Sequence, residues 1–236
     1  MARSLRAGLI AVAAIAVGIG LSGCGSDTAS EPSTPKETST SASEAAATTT
    51  SEAAPTTSAQ AAGSRKTLVD YVNESGIVQT PIHRGDVGAP RIVLPIPPGW
   101  ADAGNRTPGD AYSEMIATDP AFARNPPTII ALVSKLAGNV DPAKILEFAP
   151  GEIQNLPGYE GAEEGSPSTL GGFDATQIGG TYTKDGAKRV IARKTVAIPG
   201  QDGLYVLQLN ADGTEDQVGA LMDATSVIDE QTTITP

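Results

Sequence analysis

Between Gly25 and Lys66 the chain contains no valine, isoleucine, leucine, methionine or aromatic residue. A run of that composition cannot bury enough apolar surface to offset the entropy of ordering its backbone, so it is expected to stay disordered. Whatever folds must therefore be built from residues 67–236, which number 170 and suit one domain with a real core. Pro32, Pro35 and Pro55 bias the excluded run toward extended conformations. Its 42 positions span a root-mean-square distance of roughly 35–40 Å as a flexible coil. The expected role is reach, a tether between the folded part and whatever holds the N-terminus. Threonine and serine with interspersed proline also suit O-glycosylation, and a plain spacer is the alternative.

What holds the N-terminus is written just before the tether. Arg3 and Arg6 give a positive start, Ala7 to Gly20 is apolar and uncharged, and Leu21-Ser22-Gly23-Cys24 follows. That order is a secretory signal ending in a bacterial lipobox. Cleavage is expected between Gly23 and Cys24, with a diacylglyceryl group on the Cys24 thiol. Acylation of the freed amine, for instance with palmitate, is left open. The expected organisation is a signal at 1–23, an acylated cysteine and tether at 24–66, and one globular domain at 67–236. An uncleaved transmembrane helix is the rival reading. It needs about 20 strongly apolar residues, whereas this stretch is rich in alanine and broken by Gly18 and Gly20. Each buried methylene contributes about 0.8 kcal/mol, so two acyl chains hold where one is marginal. The chain is thus expected on the extracytoplasmic face of the cell membrane.

Composition narrows the chemistry. Cys24 is the only cysteine, which excludes intrachain disulfides and cysteine-bound structural zinc. His83 is the only histidine, which excludes sites needing two, and no metal or cofactor is expected. The net charge is −11; without Arg3 and Arg6 it becomes −13. That balance argues against nucleic acid, whose binding rests on neutralising phosphates, and against electrostatic adhesion to anionic lipid.

The folded part reads as alternating helix and strand signals. Thr67 is placed as an N-cap, with Leu68, Tyr71 and Val72 at helical spacing and Gly76 as the stop. Strands are expected over 91–96, 111–117 and 128–136, with Pro97-Pro98-Gly99-Trp100 as a turn carrying an aromatic plug. Asp141-Pro142 starts a helix that Pro150 must break, with a further turn over 151–155. Three strands follow at 172–183, 188–198 and 203–210, the first two joined at Lys184-Asp185-Gly186. In the middle strand Val190, Ala192, Val196 and Ile198 share one face, and Lys194 interrupts it. Thr214-Glu215-Asp216-Gln217 is a capping box, and Val218, Leu221, Met222, Thr225 and Ile228 form an apolar stripe behind it. The expected fold is α+β, an antiparallel β-sheet flanked by α-helices.

Catalytic patterns are weak. No GxSxG elbow occurs. Ser113 and Ser134 fall in strands, and His83 has only Asp86 nearby in sequence. Glu163-Glu164 and Asp110 with Glu114 are carboxylate pairs of a kind usually found on solvated faces. The paired glycines precede no helix with a lysine at phosphate-loop spacing. For binding, Trp100 and Tyr112 are the candidate ligand contacts, with a core role as the alternative for Trp100. The broken helix around Pro150 can leave an apolar cleft against the sheet.

These residues also carry a resemblance. Ser134-Lys135-Leu136 with Asp141-Pro142-Ala143-Lys144, FAPGEIQNLPG at 148–158, LGGF at 170–173, KTVAIP at 194–199, YVLQLNAD at 205–212 and IDEQTTITP at 228–236 together resemble the LpqN family of mycobacterial lipoproteins. The resemblance spans about residues 66–236 and implies a Mog1/PsbP-like α/β sandwich. It further implies a cell-envelope lipoprotein of an actinobacterium, and it brings no catalytic motif. The expectation is a non-enzymatic binding or accessory module for an envelope lipid or glycolipid, or for the machinery transporting it. Rival readings are a module that docks another protein, such as a host factor, and, more remotely, a hydrolase using a serine with His83. Fold analogy alone names no ligand.

Overall fold

The computed structural model describes residues 64–236; the signal, the cleavage site at Gly23, the lipobox Cys24 and most of the tether lie outside them. The described residues form eleven strands and four α-helices: α1 Leu68–Glu74, β1 Val78–Pro81, β2 Arg91–Val93, β3 Trp100–Asp102, β4 Ser113–Ala117, β5 Thr128–Ala137, α2 Pro142–Phe148, α3 Gly151–Gln154, β6 Glu160–Gly161, β7 Ser166–Leu170, β8 Phe173–Lys184, β9 Ala187–Gly200, β10 Gly203–Gly213, α4 Val218–Gln231 and β11 Thr233–Thr235. Nine strands form one antiparallel sheet in the order β3-β4-β5-β10-β9-β8-β6, with β1 added to β5 and β7 to β8. A separate two-stranded ribbon pairs β11 with β2.

Helices cover both faces of the sheet. On one face α4 places Leu221, Ala224 and Ile228 against Ile129, Val133, Val196, Leu207 and Leu209, with Ile92 and Ile234 of the ribbon beside them. On the other, α1 and α2 pack Leu68, Val72 and Ile145 onto Leu136, Ala197 and Val206, and α3 packs Ile153 onto Ile178 and Ile191. The central strand β10 lies between β5 and β9 and feeds both layers, as its apolar run at 204–207 requires. The α4 stripe is turned relative to expectation. Met222 is exposed, and Ala224 is buried in its place. A methyl side chain lets the helix approach the sheet closely, and bulk alone does not reveal that.

Capping explains the helix starts. Thr67 Oγ1 accepts from the Asp70 N–H at 3.1 Å and Asp70 Oδ2 accepts from the Thr67 N–H at 2.9 Å. Those Thr67 hydrogen bonds hold the Asp70 carboxyl below its ordinary value. Asp141 Oδ1 accepts from Ala143 N–H at 2.9 Å, with Pro142 in the first turn. The Thr214 N–H donates to Gln217 Oε1 at 2.8 Å, in a 3₁₀ turn that leads into α4. Asp185 and Gly186 both have positive φ, 52° and 76°, as a two-residue hairpin turn demands.

Five strands were not anticipated: β1, β3, β6, β7 and β11. Four of them lie on edges of the main sheet, where a strand has one neighbour and little need for alternating apolar residues. Pro81 ends β1 and Pro167 lies within β7. Residues 91–93 alone of the expected 91–96 are strand. At the start of the described chain, Arg65 is held by a reciprocal pair. Its N–H donates to Asn155 Oδ1 at 2.8 Å and Asn155 Nδ2 donates to the Arg65 carbonyl at 2.7 Å. The Lys66 carbonyl crosses directly over Gly151, where a Cβ would lie 2.1 Å from that oxygen.

Candidate functional site

Beneath α4 the helix and sheet do not close. A cleft of about 310 Å³ remains between α4 and the strands β5, β8, β9 and β10, with Ala162 after β6 and Ser166 of β7 at its border. Its closed end is made by Ile129, Leu209, Ala211 and Ile228, all buried. Its open end is made by Gln177 and Gly179 of β8, Ala192 and Lys194 of β9, and Thr225 and Asp229 of α4. Strand alternation puts these residues there. Gln177 pairs with Lys194 and Gly179 with Ala192, so all four face α4. Gly179 has no side chain to fill the gap, and a Cβ there would meet Ile191 O at 3.5 Å and Ala192 Cβ at 3.7 Å, ordinary contacts. The arrangement is apolar within and polar at the mouth. Lys194 Nζ lies 2.7 Å from Asp229 Oδ2.

The break at Pro150 itself borders a recess of about 480 Å³ with Arg65, Lys66, Gln154 and Glu164 on its walls, and a further cleft of about 340 Å³ opens beside α3 on the sheet face opposite α4. Ile130, Leu132, Ile153 and Leu156 line it. Its Arg193, Glu152, Asn210 and Tyr182 side chains are already engaged. Arg193 pairs with Glu152, and its Nε donates to Asn210 Oδ1 at 2.6 Å. Tyr182 donates to Asp212 Oδ2 at 2.5 Å, and Arg189 Nε donates to Asp212 Oδ1 at 2.8 Å. These pairs brace the sheet, so the cleft under α4 is the better binding candidate.

The sequence candidates lie elsewhere. Trp100 is on β3 and Tyr112 precedes β4; both are buried in the core cluster that α4 joins, neither lines the cleft beneath α4, and Tyr112 instead borders a separate cleft of about 480 Å³ with His83, Asp86 and Ile92. The Tyr112 hydroxyl donates to the Ile92 carbonyl at 3.3 Å. His83 Nε2 lies 3.0 Å from the Gly109 carbonyl and Nδ1 3.7 Å from Asp86 Oδ2, so both ring nitrogens face oxygens that cannot act as a serine nucleophile. Glu114 is buried in β4, and burial pushes its carboxyl up against the opposing pull of Arg106. Glu163 and Glu164 are exposed. Among the described residues no group of acidic, histidine or cysteine side chains could hold a metal ion. No described helix is long and apolar enough to cross a membrane. Of the cleft, sequence reasoning found only its trace, the lysine that interrupts an apolar strand face.

Comparison with known proteins bears on the whole arrangement. The family model described as "Probable lipoprotein LpqN" matches residues 64–235. Lipoprotein LpqN of Mycobacterium tuberculosis (strain ATCC 25618 / H37Rv) is 52% identical over 177 residues, covering 74% of this chain and 76% of that protein. A crystal structure of LpqN, described as involved in cell envelope biogenesis of Mycobacterium tuberculosis, is similar with a TM-score of 0.69. That match has 52% identity and covers 74% of this chain and all of the solved one.

Proposed function

The chain belongs to the LpqN lipoprotein family, and on that premise we propose that its folded part is a non-enzymatic binding module of the cell envelope. Acyl chains on Cys24 hold it to the extracytoplasmic face of the membrane. An amphiphile from the envelope, a lipid or glycolipid in transit, lodges beneath α4. The module serves envelope biogenesis by presenting or receiving that molecule, alone or beside transport machinery.

The supporting observation is the cleft itself. Ligand sites are typically concave, mostly apolar and about 300–1,000 Å³, with a few polar groups that orient the ligand. At about 310 Å³, closed by Ile129, Leu209 and Ile228 and rimmed by Gln177, Lys194 and Asp229, this cleft meets that description at its small end. An alkyl chain there would replace water over apolar surface at roughly 25 cal/mol per Å².

Gly179→Leu tests the reading, because the added side chain enters the cleft without a backbone clash. Titration of the full chain with 1-decanol is expected to show binding that Gly179→Leu weakens at least tenfold, at unchanged or higher Tm. Native mass spectrometry of protein recovered from its own membrane is expected to show a retained acyl compound. Binding of decanol that Gly179→Leu leaves intact would overturn the assignment of the cleft.

A further inference from the structure

The binding reading does not use the charge at the mouth of the cleft. In β9 the residues facing α4 are Val190, Ala192, Lys194, Val196 and Ile198. Lys194 pairs across the sheet with buried Leu209 on one side and Gln177 on the other. Its side chain is 11% exposed, and the partner of its ammonium is Asp229, itself 41% exposed. An ammonium in that position is unfavourable to the fold unless an anion meets it. A methionine would fill the same space without that need. The anion supplied stands 2.7 Å from the ammonium but is 41% exposed, so its far side already faces water. Arg193, whose backbone also borders the cleft, spends its guanidinium on Glu152 and Asn210 across the sheet. Lys194 is therefore the cation the cleft offers.

We propose that the ligand is an anionic amphiphile, a free long-chain carboxylic acid. Its carboxylate takes the place of Asp229 on Lys194, and its tail lies along Ile129, Leu209 and Ile228. Resting on the cleft being the binding site, this adds the headgroup class. Asp229 shows that a carboxylate fits, since its oxygen already stands 2.7 Å from Nζ. A doubly charged phosphate would meet one cation with a competing carboxylate beside it. The volume of about 310 Å³ holds roughly ten groups of about 30 Å³ each, so a ten-carbon acid is the probe.

Isothermal titration of the full chain with decanoate, 1-decanol and decyltrimethylammonium tests it. Decanoate is expected to bind at least tenfold tighter than decanol, and the ammonium amphiphile weakest. Lys194→Met should bring decanoate down to the level of decanol and leave decanol unchanged. Asp229→Asn should tighten decanoate several-fold, because the internal competitor is gone. Decanol binding as well as decanoate, or a preference that survives Lys194→Met, overturns the headgroup assignment and leaves the cleft as a neutral-amphiphile site. Decanoate binding that survives Gly179→Leu places the acid elsewhere and overturns it too. Binding of neither compound overturns this proposal together with the reading beneath it. If Lys194→Met does not fold, the wild-type ratio and Asp229→Asn decide; weaker decanoate binding in Asp229→Asn counts against the exchange.

Discussion

Tyr182 is the residue whose surroundings make the sharpest statement about pH. It is buried on the sheet face away from α4, and its hydroxyl donates to Asp212, which also accepts from Arg189. Burial, then the Asp212 carboxylate, push the phenol from its ordinary 10.0 up to about 12. Between those values the unfolded chain has released a proton that the folded chain keeps, so stability falls as pH rises through the window. The contribution is whole below pH 10 and is lost toward 12. Tyr182→Phe should cost about 1.5–3 kcal/mol at neutral pH, the value of a hydrogen bond to a charged group. Urea unfolding at pH 8 and pH 11 should show the gap between wild type and variant narrowing at the higher pH; a constant gap would contradict the assignment. Lys194 and Tyr182 thus read oppositely. The Tyr182 network is shut inside the sheet face, whereas the partner of Lys194 is 41% exposed.

Among the elements, α3 is the clearest case of structure set by one residue. Pro150 ends α2 and forces the chain to restart, and Gly151 then lets the backbone of Lys66 cross above it. Gly151→Ala places a methyl against a backbone carbonyl that has no flexible end to yield. The expected cost is about 1–3 kcal/mol, with trypsin cutting at Arg65 and Lys66 sooner than in wild type. A variant with unchanged Tm and unchanged cleavage would show that the crossing is dispensable. The sequence marks of this region, Asp141-Pro142 and Pro150, announced the helices; the crossing itself joins residues about 85 positions apart and leaves no local pattern. The same distinction runs through the molecule. The Asp185-Gly186 turn and the three long strands around it were legible because turn chemistry and apolar runs are local signals. The strands β7 (SPSTL) and β11 (TIT) were not, since an edge or a ribbon is decided by the neighbour it finds. The cleft was legible only as the misfit of Lys194, because its walls come from five strands, the turn after β6 and a helix, spread over 100 residues.

At the scale of the whole molecule, charge and attachment act together. A net charge of −11, or −13 without Arg3 and Arg6, disfavours direct contact with anionic headgroups. On the proposed anchoring, membrane residence falls on Cys24. Cys24→Ser is expected to abolish palmitate labelling and to move the protein from the membrane fraction into the medium. Labelled, membrane-bound Cys24→Ser protein would refute the anchor. Molecules fixed to a plane meet one another at high local density, and an open sheet in such a crowd is a template for its neighbours. Here the free margins are β1, β3, β6 and β7, of two to five residues each, with proline in two of them and Glu160 in a third. Margins so short and so poor in donors give an approaching strand little to zip onto. Copies packed shoulder to shoulder can stay separate instead of hardening into fibrils.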